Sequence, residues 1–126
     1  MPSDNPDVLI RKAKQDELVL ERLLLDRDVD DDTLGFHAQQ SVEKLLKAAM
    51  AIRGLDYPRT HDLGTLIDML AKGGATLPEA LADLDLLTPF GTIVRYDEVV
   101  QQVGRDRQQW LEWIRSLRSL VTAMKR

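Results

Sequence analysis

Leu34, Ala38, Val42, Leu45, Ala49 and Ile52 follow one another at intervals of three or four residues. That is the period of a helix, in which positions three and four apart share a face; a strand would alternate at every second position. So long an apolar stripe must be laid against other elements of the fold. The opposite side of the same stretch is also ordered. His37, Gln40, Lys44 and Lys47 are spaced three, four and three apart, with Ser41 beside them. Cationic groups and an amide that both donates and accepts thus lie along one side. Packing needs the apolar face; it does not need this polar one.

The remaining segments also read as helices. Asn5-Pro6 predicts a helix start, a capping side chain followed by a proline whose missing N–H is not needed in the first turn. Leu9, Ala13, Leu20, Leu23 and Leu24 then recur until the Asp-rich stretch that ends at Asp32. The second helix is expected to begin near Asp32 or Thr33, to carry Glu43 and Lys47 as an i, i+4 pair, and to close at Gly54. Tyr57-Pro58 forces an extended step. Thr60 is the expected N-cap of a third helix, with Asp62 in its first turn, Leu63, Leu66, Ile67 and Leu70 buried, and an end at Gly73-Gly74.

Thr76 with Glu79 forms the pattern of a capping box for a short fourth helix that buries Leu81, Leu84 and Leu87 and stops at Pro89. Residues 88–96 have no helical period and read as a loop anchored by Phe90, Ile93 and Val94. The last and longest helix is expected from a cap at or just before Asp97, through Gly104 with a slight bend. Its apolar stripe is Val100, Val103, Trp110, Ile114, Leu117, Val121 and Met124. With no strand pattern, no repeat and short connections, the expected fold is all-α. It is an antiparallel up-and-down bundle of four or five helices, one domain over residues 1–126.

Composition narrows the function classes. Aromatic residues make up only 5% of the chain, so the core is mainly aliphatic. The absence of cysteine removes disulfides, thiolate zinc ligands and a cysteine nucleophile, and two histidines are too few for a histidine-rich metal centre. The polar N-terminus lacks the order of a signal peptide, and no apolar run approaches the ~18 residues of a membrane span. A soluble cytoplasmic protein with no membrane association, metal or cofactor is expected. The net charge of −4 opposes indiscriminate binding to nucleic acid. Charge is uneven, however: Asp26, Asp28, Asp30, Asp31 and Asp32 oppose a C-terminal set of Arg105, Arg107, Arg115, Arg118, Lys125 and Arg126. These are either solvated faces with a basic helix end or a local groove for a phosphate chain.

Three places could carry chemistry. The stripe of His37, Gln40, Lys44 and Lys47 could hold phosphate or ribose, line a symmetric interface, or be a hydrated helix surface. Arg59 and His61 frame the N-terminus of the third helix, where free N–H groups favour anions. His61 beside Asp62 could move a proton, or could simply bond a neighbouring carbonyl. Arg95-Tyr96 could clamp a phosphate while the ring stacks or donates, or could anchor the loop. Trp110 reads as core, and Trp113 as a partly exposed packing or dimer contact. No Gly-rich phosphate loop, Gly-x-Ser-x-Gly, His-Glu-x-x-His or Gly-Ser-x-x-x-Asp-x-Asp occurs. A self-contained nucleotidyltransferase or metalloenzyme is therefore not expected.

The run Phe36-His37-Ala38-Gln39-Gln40-Ser41-Val42-Glu43-Lys44-Leu45-Leu46-Lys47-Ala48, then Thr60-His61-Asp62-Leu63, then Arg95-Tyr96 after a Pro/Gly-containing loop, resembles the HEPN domain family (higher eukaryotes and prokaryotes nucleotide-binding). The resemblance covers nearly the whole chain, from about residue 5 to about residue 124. It implies a helical bundle that forms a two-fold homodimer. It also implies work beside a separately encoded minimal nucleotidyltransferase, as a toxin–antitoxin or related defence pair.

Many members of that family are metal-independent ribonucleases that use an Arg followed, after four to six intervening residues, by a His. Arg95 stands in the matching place, but the His positions hold Val100, Gln101 and Gln102. Three readings follow. One is a HEPN module, without the usual catalytic motif, that binds a nucleotide, RNA phosphate or protein partner through His37, Gln40, Lys44, Lys47, Arg59, His61, Arg95 and Tyr96. Another is a ribonuclease toxin with a rearranged site of Arg95 with His61 or His37. The last is a dimeric scaffold. The missing histidine favours the first, since the motif's proton carrier is gone and its anion-binding arginine remains.

Overall fold

The computed structural model describes residues 4–92 and 106–125. Among these, five α-helices form and no strand does: α1 (Pro6–Arg22), α2 (Asp31–Ile52), α3 (Leu63–Lys72), α4 (Thr88–Thr92) and α5 (Arg107–Met124). Two short 3₁₀ turns, Glu79–Leu81 and Leu84–Leu87, connect α3 to α4. The all-helical bundle expected from the periodicity is the one observed.

The first helix starts as its sequence dictates. Asn5 caps it by accepting from the Asp7 N–H, with Pro6 in the first turn. The central helix is α2, which packs on α1, α3, α4 and α5 and buries more than half of its 22 residues. It begins at Asp31, a residue or two ahead of the expected point, with Asp30 at the N-cap. Both α2 and α3 end in the same way. Gly54 and Gly74 take positive φ (72° and 101°), which lets Leu55 N–H reach Met50 O and Ala75 N–H reach Leu70 O. The two ends meet: Arg53 donates to Gly73 O at 3.0 Å, and Gly73 leaves room for the Leu55 side chain.

Charges set the register. Ser41 Oγ donates to Ala13 O at 2.9 Å, holding α2 antiparallel to α1. The α5 helix also runs antiparallel to α1. Arg107 at its start donates to Leu23 O and Leu24 O, Arg118 grips Glu17, and Lys125 at its end pairs with Asp7. Glu17 is fully buried. Burial pushes its carboxyl up, but the hydrogen bonds and charges of Arg118 and Lys14 outweigh that and hold it below the usual carboxylate range. Arg115 completes the cluster at 3.5 Å from Glu17 and 3.3 Å from Glu21. The basic residues of α5 thus pair with carboxylates of α1 and with Asp31. Arg107, Arg115, Arg118 and Lys125 are engaged in ion pairs rather than arrayed for a phosphate chain.

Several local expectations are corrected. The N-cap of α3 is Asp62, which accepts from the Gly64 N–H; Thr60 lies two residues earlier and accepts from the Asp62 N–H. The short fourth helix is replaced by 3₁₀ turns. The extended residue before the first of them is Pro78, so the Thr76–Glu79 capping box does not form. Residues 88–92 are helical, because Pro89 falls in the first turn of α4, where its missing N–H is harmless.

The last helix is not continuous through Asp106. That residue is extended (φ −96°, ψ 99°), and its carboxylate accepts from the Gln109 N–H, with Gln109 at the third helical position as in a capping box. The expected cap at Asp97 and the bend at Gly104 lie outside the described residues.

Two glycines let α4 sit on α2. A Cβ at Gly35 would lie 2.3 Å from the Phe90 ring, and one at Gly91 would lie 2.2 Å from the Gln39 side chain. Phe90 also meets Trp110 edge-to-face at 5.1 Å, tying α4 to α5. Trp113 is 9% exposed and belongs to the core.

Candidate functional site

The polar residues of α2 form two rows rather than one stripe. In the first, His37 Nδ1 lies 2.9 Å from Asp16 Oδ1 and Lys44 Nζ donates to Asp16 Oδ2 at 2.5 Å, so both side chains are turned toward α1. The second row is Gln39, Glu43 and Lys47, four apart, and it faces the chain that leads into α3. Gln40 joins the rows by donating to Gln39 Oε1 at 2.8 Å.

Glu43 is the hub of the second row. It is 6% exposed and accepts from Gln39 Nε2 at 3.0 Å, Lys47 Nζ at 2.9 Å and His61 Nδ1 at 2.8 Å. Burial alone would push its carboxyl up. The bonds from His61, Lys47 and Gln39, with the charge of Lys47, more than offset this and hold it below the usual carboxylate range. Gln39 donates again to His61 O at 3.0 Å, fixing the backbone on which the imidazole stands. Lys47 lies 5.5 Å from the centre of the Tyr57 ring. The Tyr57 hydroxyl donates to Asp4, and burial together with that carboxylate pushes its ionisation well up.

An ionised carboxylate only accepts, so His61 must carry its proton on Nδ1. Its side chain is 55% exposed, and Nε2 has no hydrogen bond among the described residues. Neutral His61 therefore presents a lone pair at Nε2, and protonated His61 presents a donor with Glu43 behind it. Such a carboxylate-held imidazole can bind an anion or move a proton.

The expected anion site at the N-terminus of α3 is already occupied by the chain itself. Gly64 N–H donates to both Asp62 Oδ1 and Asp85 Oδ1 at 3.0 Å, and Leu63 N–H donates to Thr88 Oγ1. Arg59, two residues before His61, is exposed and makes no ion pair among the described residues. Arg95 and Tyr96 lie outside the described residues.

The structure thus brings Lys47 and His61 together through Glu43 and places His37 and Lys44 on Asp16. Asp16, Gln39 and Glu43 carry the arrangement without having been singled out as site residues. Gln39, Glu43 and Lys47 at four-residue spacing were a signal in the sequence; Asp16, on another helix, gave none. A separate groove of about 1050 Å³ lies between the α1–α2 turn and the start of α5. Asp30, Asp31, Asp32 and Asp106 line it beside Arg27 and Arg107, and the Arg107 guanidinium is engaged by Asp31 and backbone carbonyls, so the excess of carboxylates disfavours phosphate. Among the described residues no cluster of His, Asp or Glu could hold a metal ion, and no helix is long and apolar enough to cross a membrane.

Comparison with protein families finds a match to the HEPN domain over residues 7–126. No curated protein and no solved structure matches.

Proposed function

From the premise that this chain belongs to the HEPN domain family, we propose that it is a binding module for the phosphate of a nucleotide or RNA. The observation that carries this reading is the His61–Glu43 pair: a buried carboxylate holds Nδ1 and leaves Nε2 exposed, two residues from Arg59, which makes no ion pair among the described residues. Lys44 and Lys47 are neutralised by Asp16 and Glu43, which leaves His61 and Arg59 as the available contacts. Arg95 is the third. Its place in the sequence matches the family's anion-binding arginine, and an arginine suits bidentate contact with a phosphate held near His61.

In this reading the module acts as a homodimer in the cytoplasm. It pairs with a separately encoded minimal nucleotidyltransferase in a toxin–antitoxin or related system. Titration with a short RNA tests the site: Arg95→Ala and His61→Ala are each expected to abolish or strongly weaken binding, and unchanged affinity in both contradicts the assignment.

The same pair favours one other reading, a metal-independent ribonuclease in which His61 moves the proton and Arg95 stabilises the phosphorane. Cleavage of RNA by the purified protein in chelator, lost in His61→Ala, selects that reading over the binding module.

A further inference from the structure

The groups around His61 balance unfavourably for an anion until the imidazole is charged. From α2 come Glu43 and Lys47; from its own segment, Arg59 and Asp62; from the turn before α4, Asp85, which shares the Gly64 N–H with Asp62. Three carboxylates thus stand against two cations among the described residues, and α4 contributes no charge. Neutral His61 makes this worse for a phosphate, because its exposed Nε2 offers a lone pair. Protonation reverses both conditions at one atom. It balances the local charge and turns Nε2 into a charge-assisted donor, with Nδ1 still bonded to Glu43.

We propose that His61, held by Glu43 beside Arg59, is a proton-gated clasp for a phosphodiester, so that binding takes up one proton at His61 Nε2. This rests on the binding-module reading and adds its regulation. The bound form is the imidazolium. Nε2–H donates to a non-bridging phosphate oxygen, Arg59 supplies the second cation, and loss of the proton releases the ligand. Affinity therefore falls as pH rises and the linked proton is lost, by up to about tenfold per pH unit.

Hexauridylate RNA without terminal phosphates is a clean probe, because neither its phosphodiesters nor its bases titrate where an imidazole does. Its affinity for the full chain is measured at about pH 5.5 and about pH 7.5, which bracket the usual range of imidazole titration. Calorimetry in two buffers of different ionisation enthalpy counts the protons taken up. The chain has only two histidines, so two variants complete the assignment. Binding should be at least about tenfold tighter at the lower pH with up to one proton taken up. His37→Gln should keep that dependence, and His61→Gln should bind weakly and equally at both. Equal wild-type affinity at both values overturns the gate and leaves the binding module standing. No binding at either overturns both. A pH dependence that follows His37 instead overturns the assignment to His61.

Discussion

Glu43 Oε1 accepts from His61 Nδ1 at 2.8 Å, tying the middle of α2 to the segment that enters α3. Gln39 reinforces the tie by bonding both partners, to Glu43 Oε1 and to the carbonyl of His61, each at 3.0 Å. One buried carboxylate therefore sets the tautomer, the position and the supporting charge of one exposed imidazole.

Removing the charge of that hub should be costly. Glu43→Gln keeps the shape but leaves Lys47 and His61 without their anion in a site where Glu43 is 6% exposed. A loss of about 2 to 3 kcal/mol is expected in urea unfolding. A loss below experimental error would mean that the three bonds contribute nothing net.

Acid should destabilise the fold through two residues. Glu17 and Glu43 both titrate below the usual carboxylate range when folded. As pH falls, the unfolded chain therefore takes up protons first. Their stabilisation is complete above the ordinary range, near about 4.3, and is lost as pH drops through the lowered folded values. Tm followed from neutral to about pH 3 should fall less steeply in Glu17→Gln and in Glu43→Gln than in the wild type. Parallel curves for all three proteins would contradict the assignment.

The α2–α4 contact should not tolerate a methyl group. Gly91→Ala places a Cβ 2.2 Å from Gln39, and Gly35→Ala places one 2.3 Å from Phe90. Each is expected to cost about 1 to 3 kcal/mol. The two should differ in reach: NMR signals of His61 should move in Gly91→Ala, because Gln39 fixes its carbonyl, and stay near their wild-type positions in Gly35→Ala.

Removing the cap of α5 should loosen that helix alone. Asp106→Ala deletes the acceptor for the Gln109 N–H. A loss of about 1 kcal/mol is expected, with faster amide exchange confined to the first turn of α5. Uniformly faster exchange across α1 and α2 would show that Asp106 does more than cap.

The all-helical fold was legible because the stripes from Leu34 to Ile52 and from Leu63 to Leu70 carry a helical period, and Asn5, Gly54 and Gly74 mark ends by local chemistry alone. The errors fell where two local signals competed. Pro89 reads as a stop and equally as a first-turn residue, and its neighbour Thr88 is bonded to Asp85 and to the Leu63 N–H, which only the tertiary fold brings near. Thr60 and Asp62 are both good caps, and Asp62 prevailed with Thr60 bracing its N–H. The site was half legible. His61 and Lys47 stood out as residue types, but their connection runs through Glu43, and the partner of His37 and Lys44 is Asp16, more than twenty positions away on α1. Helical spacing gives the face of one helix and not which neighbour that face meets.

The most direct test of the site is the tautomer of His61 in the folded protein, read by long-range ¹⁵N–¹H NMR at neutral pH. The neutral ring should carry its proton on Nδ1 and leave Nε2 bare, with an Nε2 signal that moves as the ring becomes charged when hexauridylate is added. A neutral ring with its proton on Nε2, or a His61 ring unchanged by RNA that binds elsewhere, would contradict the assignment.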